Sequence, residues 1–338
     1  MRRFLLAATC LLSGIAPILV LAENVPDLGA ELEKLDYPFP VERFDISTQR
    51  QSLSMAYMDV RAEEPDGPTA VLLHGKNFCG ATWEGVIRTL TAAGYRAVAP
   101  DQIGFCKSSK PESYQFSFQQ LAANTRALTQ KLGAERIVVI GHSMGGMLAM
   151  RYALMYPDKV AALVLINPIG LEDWQALGVP YQTVDDSYRN ELRTDFDSIK
   201  AYQVKTYYDG TWRPEYERWV RMLAGMYAGP GRERVAWNQA QAADMIFTQP
   251  VVYELDKIKL PTLLIVGERD TTAIGKSTAP PDVAKRLGDY TLLGIRTSAS
   301  ITKSRLVQFP DLGHAPHIQD PARVNRSLRE NLDKLLGR

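Results

Sequence analysis

Ser143 lies in Gly141-His142-Ser143-Met144-Gly145-Gly146, directly after the apolar run Arg136-Ile137-Val138-Val139-Ile140 and directly before a helix-like stretch, Met144 to Tyr156. A serine flanked by glycines between a strand and a helix is the pattern of a nucleophile elbow, which points to acyl transfer through a serine hydroxyl. The glycines allow the turn to tighten until the serine backbone is strained and its hydroxyl stands clear of the sheet edge. The helix N-terminus behind it favours a developing oxyanion.

Such a nucleophile needs a base, and the chain offers four histidines: His74, His142, His314 and His317. His74 ends an early strand, and His142 is turned away from the hydroxyl by its place in the elbow. His314, after Gly313 on the loop leaving a late strand, fits the base that takes the serine proton and returns it to the leaving group. His317 is the second candidate. For the acid, Asp270 closes Leu263-Leu264-Ile265-Val266-Gly267-Glu268-Arg269-Asp270, a strand and turn that deliver a carboxylate to the same edge. Glu268 competes from a position nearer the strand, whereas Asp256 and Asp311 read as caps or turn residues. The order nucleophile, acid, histidine is the one expected of a strand-turn-helix elbow. Donors for the oxyanion fall to the backbone amide of Met144 and, from the loop His74 to Gly80, the amide of Lys76. The Lys76 side chain reads as a solvent-facing charge.

The elements that must position these groups alternate. Two strands, Phe44 to Ile46 and Leu53 to Asp59, follow a polar opening segment. Short apolar strands at Thr69 to Leu73, Tyr95 to Pro100, Ile137 to Ile140 and Ala162 to Ile166 then alternate with helices at Ala81 to Ala93, Phe118 to Leu132 and Met144 to Tyr156. That rhythm predicts an α/β fold, a parallel sheet covered on both faces with functional loops at the strand C-termini. From 171 to 259 the alternation stops and aromatics concentrate, which predicts a mostly helical cap. Its rings serve chiefly as cap core, and together they suggest an apolar or aromatic pocket. The core resumes over 260–338, with strands at Leu260 to Val266 and Arg305 to Phe309, a helix-like Ala279 to Leu287, an irregular segment, and a closing helix from Asp320 to Leu336.

Met1-Arg2-Arg3, an apolar run to Leu21 and the small-residue pattern ending at Ala22 read as a secretory signal peptide over 1–22, with the mature core beginning at 23. The expected location is periplasmic or secreted, with no stable membrane insertion after cleavage. Losing Arg2 and Arg3 moves the formal charge from +1 to −1. No large field of either sign remains, which argues against a nucleic-acid partner. No metal, nucleotide or flavin motif is present, so no cofactor is expected. Cys79 and Cys106 remain in the mature chain. Such a pair is a disulfide candidate in an oxidising compartment and two free thiols otherwise.

Together these motifs resemble the α/β hydrolase superfamily: His74-Gly75-Lys76 as its oxyanion loop, Asp101 to Ser108 as its DxxGxxxS loop, the GHSMGG elbow, GxxD ending at Asp270, and GHxxH ending at His317. The resemblance covers nearly the whole mature chain and implies a mostly parallel eight-stranded sheet with an inserted cap. Within the superfamily the chain looks like the lidded serine esterases and the hydrolases that cleave carbon–carbon bonds of ring-fission products. Asn77-Phe78-Cys79 stands where those relatives carry proline or glycines, and Cys106 where they carry glycine. The superfamily's sheet order places these loops on adjacent strands, so the resemblance implies a Cys79–Cys106 disulfide beside the oxyanion donors. Ser143 speaks against dehalogenases and epoxide hydrolases, which carry aspartate there. The implied activity is hydrolysis of a small-molecule ester by a Ser143/Asp270/His314 triad through an acyl-enzyme. Carbon–carbon hydrolysis, lactone opening, thioester hydrolysis and perhydrolysis share that chemistry; a non-catalytic binding protein on the same fold is the reading from another class.

Overall fold

A computed structural model describes residues 25–338; the signal-peptide segment expected over 1–22 lies outside the described residues. Eight strands form one sheet: β1 (Val41–Thr48), β2 (Gln51–Val60), β3 (Thr69–Leu73), β4 (Arg96–Pro100), β5 (Ile137–His142), β6 (Val160–Ile166), β7 (Thr262–Gly267) and β8 (Ser304–Phe309). Their spatial order is β1-β2-β4-β3-β5-β6-β7-β8. β1 and β2 pair antiparallel with their neighbours, and the pairings from β4 to β8 are parallel. β5 and β7 are buried at every position. Their unbroken apolar runs therefore mark strands covered on both faces.

The helices are α1 (Glu84–Ala92), α2 (Phe118–Lys131), α3 (Met144–Met155), α4 (Val184–Glu191), α5 (Phe196–Thr206), α6 (Glu217–Tyr227), α7 (Arg232–Thr248), α8 (Pro281–Ala284), α9 (Tyr290–Ser300), α10 (Pro316–Gln319) and α11 (Pro321–Leu336). α4 to α7 lie between β6 and β7 in the chain. One apolar cluster packs α2, α3 and α9 against one sheet face together with cap residues such as Trp219 and Met245; a second packs α1 and α11 against the other.

Two expectations need correction. The segment after Leu287, expected to be irregular, contains the three-turn helix α9, while the helix foreseen over 279–287 shrinks to the single turn α8. Gly294, Thr297 and the serines of α9 are weak helix formers, and packing overrides that preference: Gly294 sits against Val266 and Leu306. The opening segment is also less inert than its polarity suggests. Leu32 is fully buried, its carbonyl accepts from Lys107 Nζ at 2.5 Å, and Leu28 N–H donates to Gly225 O of α6 at 3.0 Å. Residues 28–32 thus strap the cap helix α6 to the loop after β4.

Candidate active site

The elbow follows from one strained residue and two close approaches. Ser143 takes φ 56° and ψ −124°, a conformation rare for any residue with a side chain. A Cβ on Gly145 would lie 2.0 Å from Leu73 O, and one on Gly141 would lie 2.1 Å from Gly145 O. Only glycine permits the turn to close this tightly between β5 and α3. The result holds Ser143 at the end of β5 with its carbonyl accepting from Gly146 and Ile169.

Ser143 Oγ is 2.9 Å from His314 Nε2, and His314 Nδ1 is 2.6 Å from Asp270 Oδ2. A carboxylate can only accept, so Nδ1 carries the proton and Nε2 is left to accept from the serine hydroxyl. The three groups come from the ends of β5, β7 and β8, and their side chains are buried. Asp270 is held in turn. Its Oδ1 accepts from Thr272 N–H at 2.8 Å, and Oδ2 also accepts from Asn167 Nδ2 at 2.9 Å. Glu268, the competing acid, faces Gln308 at 2.6 Å. Asp256 is exposed and Asp311 pairs with Arg323; the His314 ring nitrogens bond to Asp270 and Ser143 instead.

The other histidines surround His314 without replacing it. His142 Nε2 donates to the His314 carbonyl at 2.8 Å. Burial, reinforced by His317 and His314, holds its pKa well below the ordinary histidine value. His317 stacks on Trp83, with ring centroids 4.9 Å apart, and burial takes its pKa down to about 3. Neither of its ring nitrogens has a hydrogen-bond partner among the described residues. His74 bridges two loops: Nδ1 donates to Gly75 O at 2.8 Å, and Nε2 accepts from Gln102 N–H at 3.0 Å. Burial lowers its pKa as well, consistent with the neutral tautomer those bonds require.

The two amides expected as oxyanion donors, those of Lys76 and Met144, are left unengaged among the described residues. Met144 opens α3, so its N–H lacks an intrahelical carbonyl, and the Lys76 N–H bonds to nothing among the described residues. Gly75 packs directly on Ser143: a Cβ there would lie 2.8 Å from Ser143 Cβ and 3.3 Å from Oγ. Cys79 and Cys106 are joined in a disulfide with Cα atoms 5.7 Å apart. It ties the loop after β3 to the loop after β4. Together with His74 it holds the loop that carries Lys76.

From above, the cap reaches the same groups. Asn77 Nδ2 donates to Tyr207 OH at 2.9 Å, the Tyr207 ring stacks on His314 at 4.7 Å, and the Tyr207 carbonyl accepts His314 N–H at 3.0 Å. The Lys76 side chain does not face solvent as expected. It is 16% exposed and lies 2.6 Å from Glu191 at the end of α4, because the cap folds over the loop and supplies a counter-charge that sequence distance conceals. Sequence reading missed Asn167 and Tyr207. Asn167 was visible only as a turn residue before Pro168, and Tyr207 only as one aromatic among many.

A family model of the alpha/beta hydrolase fold matches residues 68–321. The chain therefore belongs to the α/β hydrolase-fold family. It is similar to epoxide hydrolase A of Mycobacterium tuberculosis, 30% identical over 178 residues, which are 52% of this chain and 53% of that protein. It is also similar to Lipase 1 of Psychrobacter immobilis, 25% identical over 291 residues, 82% of each chain. Several other curated relatives are matched over half of their length or less. Among solved structures, a probable hydrolytic enzyme from Pseudomonas aeruginosa PAO1 superposes with a TM-score of 0.90 at 59% identity, covering 91% of this chain and 99% of that one.

Proposed function

We propose that the protein is a serine hydrolase that cleaves carboxylic esters through an acyl-enzyme on Ser143. The observation that carries this reading is the continuous relay from Ser143 Oγ through His314 to Asp270, at 2.9 and 2.6 Å. In the first half-reaction Ser143 Oγ attacks the ester carbonyl carbon while His314 Nε2 takes its proton. The carbonyl oxygen becomes an oxyanion held by the amides of Lys76 and Met144. The tetrahedral species collapses, the carbon–alkoxide bond breaks, and the imidazolium returns the proton to the leaving alcohol. In the second half water replaces the alcohol: His314 takes its proton, the acid departs and Ser143 is regenerated. Asp270 keeps Nδ1 protonated and stabilises the imidazolium throughout.

The epoxide hydrolase resemblance does not lead this reading, because Ser143 occupies the position where such enzymes carry aspartate. The lipase resemblance agrees with it. Residues 1–22 favour export, and a closed disulfide fits an oxidising compartment. Among the described residues no helix is long and apolar enough to cross a membrane. A panel of aryl and alkyl esters of graded acyl length, run beside a lactone and a ring-fission product, tests the proposal with Ser143→Ala as control. Ester turnover abolished by the substitution supports it; turnover confined to the ring-fission product replaces it with carbon–carbon hydrolysis.

A further inference from the structure

A cavity of about 350 Å³ lies beside the donor loop, with Lys76, Asn77 and Cys106 on the core side and Ile199, Met226 and Ile246 on the cap side. Among the described residues only two charged side chains line it, Lys76 and Glu191. They are paired at 2.6 Å and exposed by only 16 and 18%. The second Glu191 oxygen accepts from Tyr227 OH at 2.7 Å, so both carboxylate oxygens are held. Glu191 is the last residue of α4, where the helix dipole disfavours a carboxylate. Its placement is therefore set by Lys76 and Tyr227 rather than by local preference.

Lys76 unpaired would make this cavity cationic and attractive to acids. Paired, it leaves a cavity with no net charge and no free cation. We propose that Glu191 is a specificity-determining residue that masks Lys76, so that the cavity takes uncharged esters and rejects those carrying a carboxylate. A carboxylate entering here would lose water without gaining a cation and would face the Glu191 charge. The inference rests on Ser143 being the nucleophile and on the acyl arm of its ester reaching this cavity, which is lined by Lys76 and Asn77 of the loop whose Gly75 packs on Ser143.

Two para-nitrophenyl esters test it: the adipic acid monoester, whose far end is a carboxylate, and the ester of the isopropyl-ended acid of equal length and shape. The wild-type enzyme is expected to favour the isopropyl ester by about tenfold or more in kcat/KM. Glu191→Gln keeps the shape and removes the charge; it is expected to shift that ratio about tenfold toward the carboxylate, mainly through KM. Lys76→Met in the same background should cancel the shift. A wild-type preference for the carboxylate, which needs no variant to detect, overturns the inference, as does an unchanged ratio in Glu191→Gln. Failure of the hydrolase reading looks different: neither ester, nor the short acetate ester, is cleaved faster by wild type than by Ser143→Ala.

Discussion

Asn167 donates to the same Asp270 oxygen that accepts the His314 imidazole, at 2.9 Å against 2.6 Å. Its own Oδ1 accepts from Gly267 N–H at 2.8 Å, so the side chain pins the end of β6 to the end of β7. The carboxylate is thus fixed by a fully buried residue 103 positions away. Asn167→Ala removes one hydrogen bond to a charged group, an interaction of about 1.5–3 kcal/mol. The expected effect is a kcat lower by about 10- to 100-fold with KM little changed, read from initial rates on a good ester.

Gly75→Ala tests the donor loop. A Cβ at position 75 falls 2.8 Å from Ser143 Cβ, so either the nucleophile or the loop carrying the Lys76 amide must move. Displacements of this size cost about 100-fold in rate. We expect that loss in kcat/KM with a melting temperature lowered by only a few degrees, the overpacking costing about 1–3 kcal/mol. Full activity would show that the loop yields freely and that the Lys76 amide is not a fixed donor.

The disulfide closes a 27-residue separation that spans α1 and β4. By chain entropy alone such a closure stabilises by about 3–4 kcal/mol. Cys79→Ser with Cys106→Ser should lower stability by that order in urea unfolding, and the unreduced, denatured wild-type protein should show no free thiols at these positions. Two titratable thiols would contradict the bridge.

Much of this was readable from the chain, for identifiable reasons. β3, β5 and β7 are apolar runs bounded by glycine and polar turns, so their type and order follow from periodicity. Ser143 and Asp270 each follow such a run closely, and His314 follows the more mixed strand β8 after Gly313, which is why local pattern reaches them. Asn167 and Tyr207 act through partners about 100 residues distant, and nothing local separates them from an ordinary turn asparagine or a cap aromatic. The Lys76–Glu191 pair was hidden for the same reason. α9 was missed because its burial, not its composition, makes it helical.

The buried histidines set a pH response. In the unfolded chain His74, His142 and His317 bind protons below about pH 6.5, whereas burial holds all three below that value in the fold, His317 at about 3. Unfolding in acid therefore takes up protons. Stability is fully present above about pH 6.5 and falls as the pH drops through that value, by about 1.4 kcal/mol per pH unit for each histidine well inside the window. His317→Phe, which preserves the stack on Trp83, should flatten the fall of the urea midpoint between about pH 6 and pH 4 while ester turnover at pH 8 persists. An equally steep fall would exclude His317 as a contributor, and loss of turnover would make it part of the catalytic relay.

Activation of Ser143 as a nucleophile is read out by reaction of the folded protein with a fluorophosphonate, followed by mass spectrometry of the digest. One stoichiometric adduct is expected, on the peptide carrying Ser143, absent in Ser143→Ala and strongly slowed in His314→Ala. A folded protein that takes up no label, or labels equally well without His314, would contradict that activation.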